Sequence, residues 1–466
     1  MSEHIASQPQ GARSHSHVKA ILLVGLASII IIAACLAFFT PLVSTIFRSA
    51  SATQNRVIPL TNQSTAMFGA DARHSHVDTN EQRLTYANVS HLVSDWTSSP
   101  AGGSLFSSPV VAGDVVYVGS LDGMLYAFSA AGCQQATCVP LWTSTFMGDR
   151  VFATPAVADG VVYVGSYDHK VYAFNAAGCG KAMCAPLWVS TPTGGEIDAS
   201  PTVADGVVFS GSDDGRVYAF DAAGCGRATC SPIWASSALG QGKLVVSTPA
   251  VAEGVLYVGT YNYYTGAGEL AAYEAKGCGK AECLPLWTYT PPGTDLGYYA
   301  ALSVVNGIVY IISLDGILNA FDAHGCGHVT CAPLWTTIPA GDYVEASPAV
   351  TGWVVYVASW DHRLYAFNAV GCGKSVCAPL WSSTPIGSII ESSPTIANGL
   401  VFVGSADGSL YAFDGVGCAT PPCVPLWSSA PTGDALYASP AVANGVVYVA
   451  SLDHRLYAYH LAGTVP

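Results

Sequence analysis

Charge is scarce in this chain. Only 10% of its 466 residues are Asp, Glu, Lys or Arg, against roughly 25% in an average globular protein. The 17 Lys and Arg are outnumbered by 31 Asp and Glu, for a formal net charge of −14. The basic footprint of a nucleic-acid binder is therefore missing, and no nucleic-acid partner is expected. Disorder is excluded from the other side: 51% of residues are apolar, so there is ample surface to bury and little repulsion to resist collapse. Nucleophile elbows, phosphate-binding loops and paired-carboxylate signatures are not evident. What is abundant is 48 Gly and 27 Pro, which suits many short strands and turns better than long helices.

One apolar run stands apart. Ala20 to Phe39 (AILLVGLASIIIIAACLAFF) has no charged residue, and as a helix its 20 residues would span about 30 Å, a bilayer core. Arg13 and Lys19 precede it and Arg48 and Arg56 follow, so flanking charge alone does not orient it. Three fates are open: a retained single-span anchor, a lipoprotein cut before Cys35 of Ile32-Ala33-Ala34-Cys35, or a signal peptide cut after Ala50-Ser51-Ala52. The apolar LAFF after Cys35 speaks against lipidation. The expected organisation is a tail at 1–18, an anchor at 19–41, a linker and lead-in at 42–91, and a repeat domain at 92–463.

That domain is written in one sentence used eight times. Trp96, Trp142, Trp188, Trp234, Trp287, Trp335, Trp381 and Trp427 recur at intervals of 46 to 53 residues. Between them run short β-branched and aromatic stretches such as ATPAVA, VVYVGS and VYAFN, punctuated by Asp159-Gly160 and Asp168-His169. Such runs are strands, and four strands repeated at this period are a propeller blade. The fold class expected is all-β, an eight-bladed propeller of four-stranded blades. The last copy ends LYAYHLAGTVP without a Trp strand, whereas Leu92–Ser98 precedes the first copy. Closure therefore calls for Leu92–Ser98 to complete the eighth blade, removing an open edge. A solenoid would want polar capping repeats, and none is evident.

Seven cysteine pairs occupy one place in the repeat, the loop between the third strand and the Trp strand. They are spaced C-x4-C: Cys133/Cys138, Cys179/Cys184, Cys225/Cys230, Cys278/Cys283, Cys326/Cys331, Cys372/Cys377 and Cys418/Cys423. Two thiolates make half a zinc site, but neighbouring blades hold these loops too far apart to share one metal. Seven local disulfides are the better reading, each adding on the order of 2 kcal/mol by loop entropy. They require an oxidising compartment, so the propeller is expected on the extracytoplasmic side of a membrane.

The pattern SPAVADGVVYVGSxDGxLYAFDAxG followed by a Trp strand resembles the pyrroloquinoline-quinone-like (PQQ-like) propeller repeat, which spans quinoprotein alcohol dehydrogenases and BamB-type assembly lipoproteins. Met67–Trp96 is similar to the lead-in of quinoprotein-like chains. A dehydrogenase of this kind would, by that resemblance, need an adjacent Cys-Cys disulfide on its quinone, a Ca²⁺ held by Glu, Asn and Asp, and an Asp base. No two cysteines are adjacent here and no calcium-binding run appears. No cofactor, metal or catalytic residue is therefore expected, and a noncatalytic scaffold with a protein partner at its loops is the leading reading. A periplasmic oxidoreductase is the alternative.

Three local features complete the inventory. His169, His362 and His454 alternate with Gly in the hairpin turn after Asp, so they read as turn residues and not as catalytic dyads. Trp360-Asp361 falls in such a turn as well. The fourth repeat carries an insertion, TYNYYTGAGEL at Thr260–Leu270, and the fifth replaces Ser-Pro by Ala301-Leu302. More informative is the position three residues before the innermost-strand proline, which holds Phe106, Phe152, Asp198, Val246, Tyr299, Glu345, Glu391 and Tyr437. Arg150, Glu196 and Tyr343 stand two residues earlier on the same face. If the innermost strands line a channel, the aromatic and acidic members form a candidate binding mouth for a small cation, a polar ligand or a peptide.

Overall fold

The computed structural model describes residues 66–291 and 296–463. The chain divides into two units, Met1–Val57 and Ile58–Pro466, and the described residues all lie in the second. The expected anchor at 19–41, with Cys35 and the cleavage sites, lies outside them. No helix of the described residues is long and apolar enough to cross a membrane.

Eight antiparallel sheets form eight blades. In blade 2 the strands are Ala156–Ala158, Val161–Ser166, Lys170–Asn175 and Trp188–Ser190, hydrogen-bonded in that order. Their turns follow the residues: Asp159 and Gly160 both take positive φ, 49° and 77°, the geometry that matches the twist of a two-residue hairpin. The next turn explains the Gly/His alternation. His169, His362 and His454 sit at φ of 71°, 72° and 73°, beside Gly123 at 79°. The Asp before each accepts a hydroxyl from the following strand, as Asp168 does from Tyr172 (2.6 Å) and Asp407 from Tyr411 (2.6 Å). These residues build turns.

The ring closes as the strand count requires. Leu92–Ser98 pairs antiparallel with Leu456–Leu461, completing blade 8. Two sets of hydrogen bonds then join blade to blade. A second-strand tyrosine donates to a carbonyl of the next blade: Tyr117 to Ala176 (2.8 Å), Tyr163 to Ala222 (2.9 Å) and, across the seam, Tyr448 to Ala130 (2.9 Å). Around the axis, the Ser/Thr before each proline accepts the N–H of its counterpart in the preceding blade, as Thr154 does from Ser108 (3.0 Å) and Ser200 from Thr154 (2.9 Å). The near-constant Ser/Thr is thus a belt of hydrogen bonds between neighbouring blades. It lacks a hydroxyl only where blade 5 carries Ala301.

All seven disulfides form, with Cα–Cα distances from 5.4 to 5.7 Å. The two members of a pair differ, which corrects their assignment to a plain loop. The first cysteine of each pair is exposed. The second is buried: Cys138, Cys184, Cys230, Cys283, Cys331, Cys377 and Cys423 are only 2–4% exposed. The cause is that the loop folds back onto the preceding blade. Met183–Cys184 pairs parallel with the outer strand of blade 1 and Thr137–Cys138 with that of blade 8. Cys230, Cys283 and Cys377 end equivalent two-residue strands on blades 2, 3 and 5, and Cys423 bridges Ser383 of blade 6. Cys331 donates its N–H to Thr288 of blade 4 (3.0 Å). Several four-stranded blades thereby gain a fifth strand from a neighbour. Each second sulfur joins the apolar cluster around the preceding blade's indole, Cys230 with Trp188, Cys283 with Trp234 and Cys331 with Trp287.

The glycine before the first Cys lies on that same indole. A Cβ on Gly178 would stand 2.7 Å from Trp142 Cδ1, and one on Gly132 2.5 Å from Trp96 Cδ1. With φ near 70–77° at both, only glycine suits the position.

The lead-in is a structural part of the propeller. From Ala66 to Arg83 it circles one end of the axis and receives the inner-strand N–H of blade after blade: Val157 to Ala66 (2.6 Å), Val251 to Ala72 (2.6 Å), Val304 to Arg73 (2.8 Å), Val350 to Ser75 (2.9 Å) and Ile396 to His76 (2.8 Å). His74 meets Thr202 of blade 3 through Nε2 (3.1 Å), and Gly445 of blade 8 donates to Glu81 (2.6 Å). His74 and His76 are buried, and Phe68 packs edge-on against both. Burial lowers the His74 pKa to about 4 and that of His76 to about 3, so both are neutral at pH 7.

Candidate functional site at the axial mouth

The opposite end of the axis gathers the variable ring, because each of its residues stands four positions before the start of an innermost strand. Phe106 lies 5.3 Å from Phe152 and 5.7 Å from Tyr437, centroid to centroid. Tyr299 of blade 5 donates to Asp198 of blade 3 (3.2 Å), passing over blade 4, whose Val246 is buried. Glu345 and Glu391 are half-buried in adjacent blades. The structure therefore brings the sequence-selected residues to one end of the axis, and Val246 contributes only packing.

A second tier was missed in the sequence. The residue after the Ser/Thr that ends each second strand turns into the same mouth: Tyr167, Asp213, Tyr261 and Trp360 occupy this register. Its backbone N–H bonds to the carbonyl 17 residues earlier, Tyr167 to Arg150 (3.0 Å), Asp213 to Glu196 (3.0 Å) and Trp360 to Tyr343 (3.0 Å). The signal is present in the sequence, since this position varies as widely as the ring, but it sits one residue before the turn Asp and carries no recurrent residue type of its own. Tyr167 stacks on Phe152 at 4.7 Å, beside the Asp198 carboxylate. Tyr261 meets Tyr299 at 6.2 Å, and Tyr343 meets Trp360 at 4.9 Å. The blade 4 insertion adds Tyr263 and Tyr264, both well exposed.

Electrostatically the mouth is an excess of carboxylate. Burial raises the Asp198 pKa. Burial, and then the charge of Asp198, raises that of Glu345. Glu391 is pushed up to about 7 by burial and by Glu345, and Asp213 to about 7 by burial and by Asp198, Glu196 and Asp214. Among the described residues the Arg150 guanidinium stands over two rings of the group, 5.0 Å from the Tyr167 ring centre and 5.7 Å from that of Phe152, with Asp149 3.5 Å away. Aromatic faces and carboxylates in this combination select positive charge.

The quinone implied by the repeat pattern does not fit these residues. A tricarboxylate would meet Asp198, Glu345, Glu391 and Asp213, with Arg150 already engaged. The disulfides sit at the outer strands, away from the axis, and among the described residues no group of three or more His, Cys, Asp or Glu is placed to hold a metal ion.

Comparison with known proteins places the architecture. The sequence family described as outer membrane protein assembly factor BamB matches residues 93–182 and 314–417. No curated protein matches the sequence. Among solved structures, BamB from Moraxella catarrhalis is similar at 16% identity and TM-score 0.58, covering 80% of this chain and 98% of that one. Quinohemoprotein alcohol dehydrogenase from Comamonas testosteroni is similar at 16% identity and TM-score 0.63, covering 90% of this chain and 84% of that one. The computationally designed protein Ika8 reaches TM-score 0.61 at 15% identity, covering 79% of this chain and 99% of that one. The matched repeats, the eight closed blades and the Trp-strand period together give this chain the fold of a PQQ-like β-propeller.

Proposed function

We propose that the chain is a noncatalytic binding scaffold, held to a membrane by residues 19–41 with its propeller on the extracytoplasmic side, and that the axial mouth is its recognition site. The observation that carries the reading is the mouth itself: carboxylates from blades 3, 6 and 7 stand among aromatic rings, with the Arg150 guanidinium over two of those rings. The ligand this chemistry recognises is an ammonium or guanidinium group, on a small molecule or on a side chain of a partner protein. Arg150 over Phe152 and Tyr167 supports the choice, because the mouth already accommodates one such cation. The seven disulfides support the compartment, since bonds of this kind persist outside the reducing cytoplasm. The BamB likeness favours a protein partner by analogy of fold alone.

Calorimetric titration of the full chain in detergent with N-acetyl-arginine amide tests the site. Saturable binding that is lost in the Glu345→Gln/Glu391→Gln double variant is the expected result. Equal binding by both proteins, or none by either, refutes it. Addition of pyrroloquinoline quinone with Ca²⁺ separates the oxidoreductase alternative: cofactor absorbance with dye reduction would establish it.

A further inference from the structure

Aromatic rings are spread unevenly around the mouth, and two pairs of them stand on blades 4 to 6. Tyr261 meets Tyr299 edge-on, with centroids 6.2 Å apart and planes at 74°. Tyr343 meets Trp360 at 4.9 Å and 56°. Blade 5 puts little between the two pairs. In the register that holds Tyr343 and Trp360 on blade 6, it carries Gly297 and Leu314, joined by the same backbone bond (3.1 Å). Gly297 has no side chain and Leu314 is only 1% exposed. All four rings keep part of their surface open, Tyr299 the most at 37%.

Glu345 belongs to the same compartment. Burial, then the charge of Glu345, then Tyr261 push the Tyr343 pKa up to about 12. Burial, Asp198 and Tyr167 raise that of Tyr299, and Glu345 adds to them. One carboxylate is therefore within electrostatic reach of both pairs, and the Tyr261 hydroxyl is within reach of Tyr343.

We infer, resting on the reading of the mouth as a cation site, that these rings bind a small quaternary ammonium cation of the choline type. The choice follows from the ratio of ring surface to acceptors. A primary ammonium carries three N–H donors and is strongly hydrated, so it needs several acceptors to replace its water. Against four rings the compartment sets one carboxylate, Glu345, since Asp198 at its edge already accepts from Tyr299 (3.2 Å). A trimethylammonium head has no donor to satisfy, and its charge is spread over methyl groups that rest on ring faces. Glu345 then supplies counter-charge without a hydrogen bond. Anionic relatives are turned away. Glu345, Glu391 and Asp198 would repel the carboxylate of a betaine or the phosphate of a choline headgroup. The occupant is thus the free cation and not a lipid.

Calorimetric titration of the full chain in a maltoside detergent compares choline with ethanolamine, its unmethylated counterpart, and with phosphocholine. Choline is expected to bind tighter than either by about tenfold or more. Trp360→Ala should abolish that preference, and Trp360→Phe should keep most of it. Tyr343→Leu removes a ring but retains apolar bulk, so its expected loss of preference is not a loss of fold. N-acetyl-arginine amide is titrated alongside. If it binds while choline shows no advantage over ethanolamine, the quaternary assignment is overturned and the cation mouth stands. If none of the four compounds binds, both readings fall. Phosphocholine equal to choline would assign a lipid headgroup and overturn the free cation. A preference that survives both Trp360→Ala and Tyr343→Leu overturns the site.

Discussion

Ser439 donates its backbone N–H to Ser108 Oγ at 2.9 Å, across 331 residues of sequence. This bond closes the axial belt between blades 8 and 1, beside the seam that the Leu92–Ser98 strand zips. The belt holds the bases of the blades at a common distance, and so fixes where the mouth residues three positions upstream of each proline must stand.

Removing that hydroxyl tests the belt. Ser108→Ala leaves the buried N–H of Ser439 without an acceptor, at a cost of about 1–3 kcal/mol. Ala301→Ser is its complement: the new hydroxyl would accept the backbone N–H of Thr248 in blade 4, for a stabilisation of about 0.5–1 kcal/mol. Chemical denaturation of the two variants should move the midpoint in opposite directions.

Gly178 and Gly180 separate two reasons for glycine. A Cβ at Gly178 meets Trp142 Cδ1 at 2.7 Å, whereas at Gly180 nothing lies within 4 Å, and both have positive φ of 77° and 72°. Gly180→Ala should cost only the backbone penalty of about 1 kcal/mol. Gly178→Ala should cost distinctly more, by about 1–3 kcal/mol of overpacking. It should also shift the fluorescence of an indole that Gly180→Ala leaves alone.

Acid should loosen the lead-in. With folded pKa values of about 4 and about 3, His74 and His76 bind protons more weakly than in the unfolded chain, where the value is near 6.5. Their contribution is fully present above pH 6.5 and declines as pH falls towards 4 and then 3. His76→Phe should flatten part of that decline in a plot of unfolding free energy against pH.

The mouth should respond in the other direction. Glu391 and Asp213, with folded pKa values of about 7, are largely protonated at pH 6 and charged at pH 8. Their folded values exceed the unfolded ones, so their unpaired charge costs stability as pH rises from about 4.5 to 7. Affinity for N-acetyl-arginine amide should therefore rise between pH 6 and pH 8, and the slope should shrink in Glu391→Gln.

Thiol counting checks the staples. The chain has 15 cysteines, and seven disulfides take fourteen of them. Alkylation without reductant should label at most Cys35, and mass spectrometry after reduction should show fourteen further sites.

Blades were legible because their marks are side chains: an indole every 46 residues or so, Asp-Gly at the turns, cysteines at one register. Closure was legible because one strand was missing at the end and spare at the start. Half of the mouth could be read for the same reason, since Phe106, Asp198 and Glu345 vary at a position where the next residues hardly do. The lead-in's circuit could not be read. It holds the inner strands through the carbonyls of Ala66, Ala72, Arg73 and Ser75, which share no side-chain type, and a backbone acceptor leaves no trace in composition or period. The burial of Cys230 or Cys377 was hidden for a like reason: the spacing of a pair reports the bond between its members, not the neighbouring blade that one of them leans on. Tyr167 and Asp213 escaped because a turn residue was a sufficient account of their neighbours.

Completion of blade 8 by Leu92–Ser98 bears on how the protein comes to be made. That segment leaves the ribosome early, yet its partner, Leu456–Leu461, is added hundreds of residues later. At ordinary elongation rates the wait is roughly 20–70 s. Throughout that interval a Trp-bearing ribbon has no mate, so nascent molecules on one messenger are at risk of zipping to each other's tails, and a helper that shields the early ribbon would raise the yield of monomeric product.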